Sequence, residues 1–492
     1  MAQAAEKTAK TPLRLGGFQK PVMRRADVRA LARRRVHAGF DSSETTHHNR
    51  RHWARADALS ADAAASPEVR RTLRNRARYE VKNNSYARGI VLTLANDSVG
   101  TGPRLQMLSD DPTLNHSVET EFHAWAQAVE LPQKLRTMRM ARSQDGEAFA
   151  VLAFNPFIEN NVQIDLQLVE ADQVESPMRH ILDKHEVDGL TLDDYGNPVA
   201  YRVAKNHPGG ATRMGCEDYT TVPAPSMIHI FRQDRPGQHR GIPEITPALP
   251  LFAQLRRFTL AVLSAAEAAA DFSGILYTDG PANGEADAVE PMDLIELERN
   301  MLMTMPGGWK MSQIEPKQPA TTYAEFKGEI LNEIARCLNM PYNIAAGNSS
   351  GYNYASGRLD HQTYFKSIRV DQDFTASRVL DRVLVAWLRE YAVITRNFDL
   401  LRAPPLHQWF WDGFEHVDPA KEAKAQATRL KNHTTTLAHE YARQGKDWEM
   451  ALRQRAKEML LMNELGLSTS DATPQTGSDP NGNPTEETTD DE

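Results

Sequence analysis

Apolar residues recur at helical spacing through much of the second half of the chain. Phe326, Ile330, Ile334 and Leu338 stand four apart with Leu331 and Ala335 beside them, while Lys327, Glu329 and Arg336 occupy the other face. That spacing predicts an amphipathic helix. Pro341 is expected to end it, because proline has no N–H and disfavours the α conformation at Met340. A second stripe, Leu380, Val383, Leu384, Trp387, Leu388 and Tyr391, lies in a stretch from 358 to 396 that contains neither Gly nor Pro. It predicts a helix on the order of 55 Å long at 1.5 Å per residue. The segment between the two, residues 341–353, is small, polar and rich in Gly, Asn and Ser. It reads as a loop held between helices.

Upstream, Ser66-Pro67-Glu68 has the chemistry of a helix start and leads into a helix carrying Arg70, Arg71, Arg74, Arg76, Arg78 and Lys82. Phe122 and Trp125 mark a short helix. Residues 146–152, 162–169, 199–203 and 227–231 read as strands, the second with strict alternation, and Asp194 to Pro198 as a turn. Residues 246–271 form a long helix with Leu251, Leu255, Phe258 and Val262 on one stripe and an alanine-rich end. An excursion of mixed character follows to about residue 320, with a strand-like segment at Ile275 to Tyr277. Asp418-Pro419 starts a further helix, and a break near residues 444–447 precedes another holding Trp448, Leu452, Met459 and Leu460. The class is α+β.

Composition sets limits on this picture. At 492 residues, 40% hydrophobic and 25% charged, the chain has the make-up of a soluble folded protein of several parts. Its formal net charge of -8 removes any bulk electrostatic case for nucleic-acid binding. The charge is unevenly spread: residues 1–60 hold 13 Lys/Arg against 5 Asp/Glu, including Arg33-Arg34-Arg35, and residues 467–492 hold seven Asp/Glu and no Lys/Arg. The first reads as a basic flexible arm and the second as a disordered acidic tail. Cys216 and Cys337 are too few for a disulfide framework. No apolar window long enough to span a membrane is present.

Candidate chemistry is sparse. The chain lacks G-x-x-x-x-G-K-[ST], H-E-x-x-H and C-x-x-C, so no P-loop, metalloprotease or paired-cysteine site is predicted, and neither a metal nor a cofactor. His47, His48 and His52 have no acidic or thiol companion, and Gly100 and Gly102 lack the rest of a dinucleotide fingerprint. Asp371 and Asp373 flank Gln372 inside the long helix, where i and i+2 point apart, and read as a solvated face. Residues 232–243 offer several donors and fit either a phosphate-binding loop or an intersubunit or helix lead-in loop. Gly347-Asn348-Ser349-Ser350-Gly351 matches G-x-S-x-G, in which Ser349 would be the nucleophile of a serine hydrolase. That motif works mechanically at a strand-to-helix turn, whereas the element ahead of it here is helical. A nucleic-acid adaptor acting through the basic arm is a third possibility.

Several spaced motifs together resemble one known family. Ile334-Ala335-Arg336-Cys337-Leu338-Asn339-Met340-Pro341-Tyr342, followed by Asn353-Tyr354-Ala355-Ser356-Gly357-Arg358, is similar to the helix end and "NYSSAR" helix start of the lambda-type portal proteins of tailed bacteriophages, with Ala355 and Gly357 as small-for-small departures. The Arg70 to Gly102 region and the loop 232–243 resemble that family too. Pro341, Tyr342, Tyr354, Ser356 and Arg358 carry the motif.

The resemblance implies a portal fold: basic arm 1–64, mixed α/β wing 65–245, stem helix 246–271, small α/β clip 272–320 and second stem helix 321–340. A tunnel loop 341–353, a long helix with wing return 354–417, a helical crown 418–465 and the tail 466–492 complete it. It further implies a non-enzymatic ring of twelve copies at one capsid vertex, assembled in the host cytoplasm. Its partners would be double-stranded DNA passing through the channel, the terminase large subunit, the major capsid or scaffold protein and head-completion or adaptor proteins. On this layout Asn343, Asn348, Ser349, Ser350, Tyr352 and Asn353 of the tunnel loop would face DNA, and Glu267 and Asp271 would line the stem.

Overall fold

The computed structural model describes residues 46–176 (48 excepted), 185–210, 218–271, 275–278, 309–312, 323–401, 405–413 and 419–467 (443, 445 and 447 excepted). Most of the expected arm, most of the clip, all but the first two residues of the acidic tail, His48, Cys216 and Asp418 fall outside that set. Residues 1–59 form a unit separate from the remainder, and its described part includes a turn in which the Thr46 amide donates to Asn49 Oδ1 at 2.7 Å.

The second unit opens with three helices, α1 (Ala61–Ala64), α2 (Pro67–Asn83) and α3 (Ser85–Val99). Ser66 caps α2, its hydroxyl accepting from the Val69 amide, and Asn84 caps α3 through the Tyr86 and Ala87 amides. β1 (Arg104–Met107), α4 (Pro112–Ala128), α5 (Leu131–Gln144), β2 (Glu147–Phe154), β3 (Ile164–Val169), β4 (Glu186–Val187), β5 (Leu190–Leu192), β6 (Pro198–Ala204), β7 (Tyr219–Pro223) and β8 (Met227–Phe231) complete the first half. Then come α6 (Leu249–Asp271), β9 (Ile275–Thr278), β10 (Trp309–Ser312), α7 (Tyr323–Arg336), α8 (Tyr342–Ala346), α9 (Tyr354–Thr375) and α10 (Asp381–Thr395). β11 (His407–Phe410), α11 (Pro419–Lys431), α12 (Leu437–Ala442) and α13 (Trp448–Glu464) follow.

The strands form small antiparallel sheets: β3-β2-β8, β4-β5-β6-β7, and the pairs β1-β11 and β9-β10. Pairing of β2 with β8 sets Ala150 opposite Ile228, and both are fully buried. The main core closes over one face of that sheet, where Trp125 and Leu135 from α4 and α5 pack with Leu384, Trp387 and Leu388 from α10. Phe122 meets Trp387 edge to face at 5.4 Å between centroids. A second core joins α3, the start of α6, α7 and α9 through Ile90, Phe252, Ile334 and Tyr364. A third lies under the four-stranded sheet around Phe149 and Tyr201.

Several readings of the sequence are corrected here. α4 is a full helix of 17 residues rather than a short one, and α5, β1 and β11 carried no recognised signal. The long helix is continuous from 354 to 395 but passes through a π turn, Ala376–Leu380. The C-terminal helices number three among the described residues, because residues 432–436 break the first segment.

Two buried ionic clusters tie these parts together. In the first, the Glu147 carboxylate, at the start of β2, accepts from Arg240 Nε at 2.9 Å, Arg240 Nη2 at 2.7 Å and the Gly241 amide at 3.0 Å. Arg74 Nη2 lies 3.3 Å and His229 Nε2 3.2 Å from the same group. Burial alone would push Glu147 up, but the Arg240 charge and the bonds from His229 and Arg240 hold it well below the usual carboxylate range. Arg78 and Arg74 share Asp172, and Arg70 pairs with Asp188. Burial and the neighbouring Arg240 push Arg70 down to about 10.

In the second cluster, Glu244 accepts from Arg139 and Arg142, each at 2.9 Å, and Asp371 of α9 accepts from Arg139 Nε at 2.6 Å and also pairs with Arg142. Asp371 is therefore not a solvated residue: it is nearly buried and neutralised by two arginines. The donors expected in the loop 232–243 are likewise consumed internally. Arg240 is sealed in the core, and Gln238 donates to the Arg240 carbonyl at 2.9 Å while its Oε1 accepts the Asp234 amide at 2.9 Å. The segment serves as a helix lead-in loop anchored at its C-terminal end by Arg240 and, just beyond it, by Glu244.

Candidate functional site: two packed helices and the loop they carry

The helices α6 and α7 pack side by side. Phe258 stacks on Tyr323 at 5.7 Å and meets Phe326 edge on at 4.9 Å, and Tyr323 Oη donates to Thr259 Oγ1 at 3.3 Å. Leu331, Ile334 and Ala335 are buried beneath, while Glu325, Glu329 and Glu333, again four apart, are exposed. The base of the pair is fixed by the second ionic cluster. Glu244 lies five residues before α6, and its carbonyl accepts from the Cys337 thiol, at the end of α7, at 3.1 Å. Burial pushes that thiol up, so it stays protonated.

The chain leaves α7 earlier than expected. The helix stops at Arg336, Asn339 takes the left-handed conformation at φ 53°, and the amide of Met340 reaches back to the Ala335 carbonyl at 3.1 Å. This is a left-handed C-terminal cap, in which an asparagine stands where glycine is commonest. Pro341 has a different role: it precedes α8, and its carbonyl accepts from the Ala345 amide at 3.0 Å. The stretch 341–353 is thus not all loop. Its first half is a helical turn ending at Gly347, φ 63°, and only residues 347–353 are irregular.

The candidate DNA-facing residues separate accordingly. Asn343 is 7% exposed on α8, its side-chain amide 3.0 Å from His361 Nε2 of α9, so within one subunit it braces the loop from inside. Asn348, Ser349, Ser350 and Asn353 are exposed. The Ser350 amide donates to Asn348 Oδ1 at 3.0 Å, a local turn that shapes the tip. Tyr352 is half-buried, and its amide donates to the Ser349 carbonyl at 3.1 Å. Tyr354 and Ser356 fall in the first turns of α9, Tyr342 in α8, and Arg358 projects exposed from α9. Glu267 is exposed on α6, and Asp271 is the last residue of that helix.

Ser349 follows a helix and lies in an exposed turn, so the strand that gives a nucleophile elbow its strain is missing. Among the described residues, the three-ligand grouping Glu170, Asp172 and His207 surrounds a carboxylate already held by Arg74 and Arg78, 2.6 and 2.7 Å away. Those arginines oppose a cation there. No helix of the described residues is long and apolar enough to cross a membrane. Sequence reasoning missed Glu147, Arg139, Arg142 and Glu244. One signal was available, a glutamate opening the otherwise apolar run Ala148 to Phe154.

Comparison with known proteins agrees with the expectations drawn from the motifs. The family model described as phage portal protein, lambda family, matches residues 47–372. A probable portal protein of Halomonas phage phiHAP-1 is 24% identical over 462 residues, covering 87% of each chain. Among solved structures, a chain from the neck of an empty gene transfer agent particle, computed with C6 symmetry, aligns over 79% of this chain and 99% of its own, with 13% identity and a TM-score of 0.48. An HK97 family phage portal protein from Corynebacterium diphtheriae aligns over 63% and 86%, with 15% identity and a TM-score of 0.26.

Proposed function

The chain belongs to the lambda family of phage portal proteins, a structural and non-enzymatic component of the phage particle, and on that premise we propose that twelve copies close into a ring at one capsid vertex. DNA enters and leaves the head through its channel. The observation that carries this reading is the reach of the family match, which takes in both packed helices, α6 and α7, and the loop after them.

In this arrangement α6 and α7 are the stem, residues 347–353 form the tip of the tunnel loop, and the segment between the stem helices is the clip on which the terminase large subunit docks. Residues 65–245 and 354–417 make the wing, which meets the capsid or scaffold protein. Residues 418–465 are the crown, and head-completion or adaptor proteins attach to the ring. A duplex carries one charge per about 1.7 Å of axis, so a cationic wall would hold it while a carboxylate wall repels it and favours sliding. Glu267 and Asp271, repeated by the ring, would supply such a wall. Asn348, Ser349, Ser350 and Asn353 at the loop tip add uncharged contacts, and Asn343 supports them from behind.

The test is the mass of the purified protein by light scattering behind a sizing column, with negative-stain images of the peak. A particle of about a dozen subunits with a central hole supports the ring. A chain that stays monomeric or dimeric with scaffold protein present would overturn it.

A further inference from the structure

A cleft of about 1260 Å³ runs between the long helix and a wall made by the β5–β6 turn, β6 and β8. One wall is a single helix face on which Lys366, Val370, Phe374, Arg378 and Arg382 follow at four-residue spacing, through the π turn. Tyr195, 91% exposed, stands on the opposite wall with His229 and Arg232.

The cations of this cleft are unevenly compensated. Arg139 and Arg142 are matched by Glu244 and Asp371, and Arg232 by Asp234 at 2.7 Å. Lys366 and Arg378 have no carboxylate partner among the described residues. Arg382 Nη2 donates only to the carbonyls of Ala224 and Pro225, at 2.8 and 3.0 Å. Three positive charges are therefore in excess along one wall, with Arg378 and Arg382 about one turn apart and repelling each other. π turns often mark functional positions in helices, and this one contains Arg378.

The complementary charge is in the chain itself. No Lys or Arg follows Lys457, and five of the last seven residues, Glu486, Glu487, Asp490, Asp491 and Glu492, are acidic. Residues 468–485 lie between the end of the described chain and that cluster, and 18 residues span at most about 60 Å when extended. We propose that the acidic C-terminal segment, residues 486–492, docks in the cleft between the long helix and the β5–β6 turn, where Lys366, Arg378 and Arg382 neutralise its carboxylates.

Zero-length carbodiimide coupling of the full chain, read by peptide mass spectrometry, tests this, because Lys366 offers an amine inside the cleft. The expected result is an amide between Lys366 and a carboxylate of residues 486–492. Its yield should fall at least about fivefold in Arg378→Gln and in 0.5 M salt, where the Debye length is near 4 Å. Arg378 is exposed, so that variant keeps its fold, and Arg378→Gln/Arg382→Gln should lower the yield further. Coupling of the tail only to lysines outside the cleft, an unchanged yield in Arg378→Gln, or coupling of Lys366 to an acidic segment other than 486–492 would each overturn the proposal.

Discussion

Glu147 and Arg240 lie 93 residues apart in sequence and face each other through two parallel hydrogen bonds of 2.9 and 2.7 Å, with at most 2% of either side chain exposed. The pair fixes the start of β2 against the loop that leads into α6. Two-pronged arginine–carboxylate pairs constrain direction as well as distance, so the pair orients the lead-in to α6 relative to the β2–β8 sheet. Removing one partner leaves the other charged and buried. Glu147→Ala is expected to cost about 3–5 kcal/mol, and Glu147→Gln less, because the amide retains some acceptor capacity. Thermal unfolding of the two variants beside the parent checks the ranking.

The second cluster predicts acid sensitivity. Burial would raise the Glu244 carboxyl, but Arg139 and Arg142 overcome it and hold the group at about 2, below its ordinary 4.5. A lowered folded value means that the stabilisation is complete above the unfolded value and is lost as pH falls from about 4.5 towards 2. The shift corresponds to roughly 3 kcal/mol. Melting temperatures from pH 5 to pH 2 should fall more steeply for the parent than for Glu244→Gln, which starts lower at neutral pH and loses less.

Two glycines should respond oppositely to alanine. Gly146 has φ 93°, and a Cβ there would lie 2.5 Å from the Ile242 carbonyl carbon, so Gly146→Ala combines backbone strain with a clash against main chain. Loss of soluble expression, or a destabilisation of several kcal/mol, is expected. Gly357 sits in the first turn of α9 with only Tyr352 Cδ1 near, at 3.9 Å. Gly357→Ala should stabilise the helix by about 0.5–1 kcal/mol. Differential scanning fluorimetry distinguishes the two outcomes.

Ser349 separates a structural loop from a nucleophile. Neither the parent nor Ser349→Ala should hydrolyse p-nitrophenyl esters above background. In a packaging assay with purified heads and motor, Ser349→Ala should package close to the parent level, because the change removes one small hydroxyl from an exposed tip. On the proposed arrangement, replacing residues 348–350 by three aspartates places three added negative charges per subunit at the channel's narrowest contact, where they repel the duplex. That variant should lower packaged length while the ring still forms on negative-stain grids.

What the sequence determined by itself follows from local and periodic signals. The stripes of α6, α7 and α10 are read from four-residue spacing, the start of α2 from Ser66, and the family from the motifs around Pro341 and Tyr354. Each depends on residues within a few turns of one another. The tertiary structure decided the rest. Asp371 reads as solvent-facing because a helix carries no record of what approaches it, yet Arg139 and Arg142, more than 220 residues away, bury it. Arg240 reads as a loop donor, yet it is a core residue because Glu147 awaits it across the fold. The early end of α7 was hidden because Asn339 competes with Pro341 as a stop, and only the reach of the Met340 amide back to Ala335 shows which one acts. Periodicity reports which face of an element is buried; the partner that covers it is set by long-range contacts that no local pattern encodes.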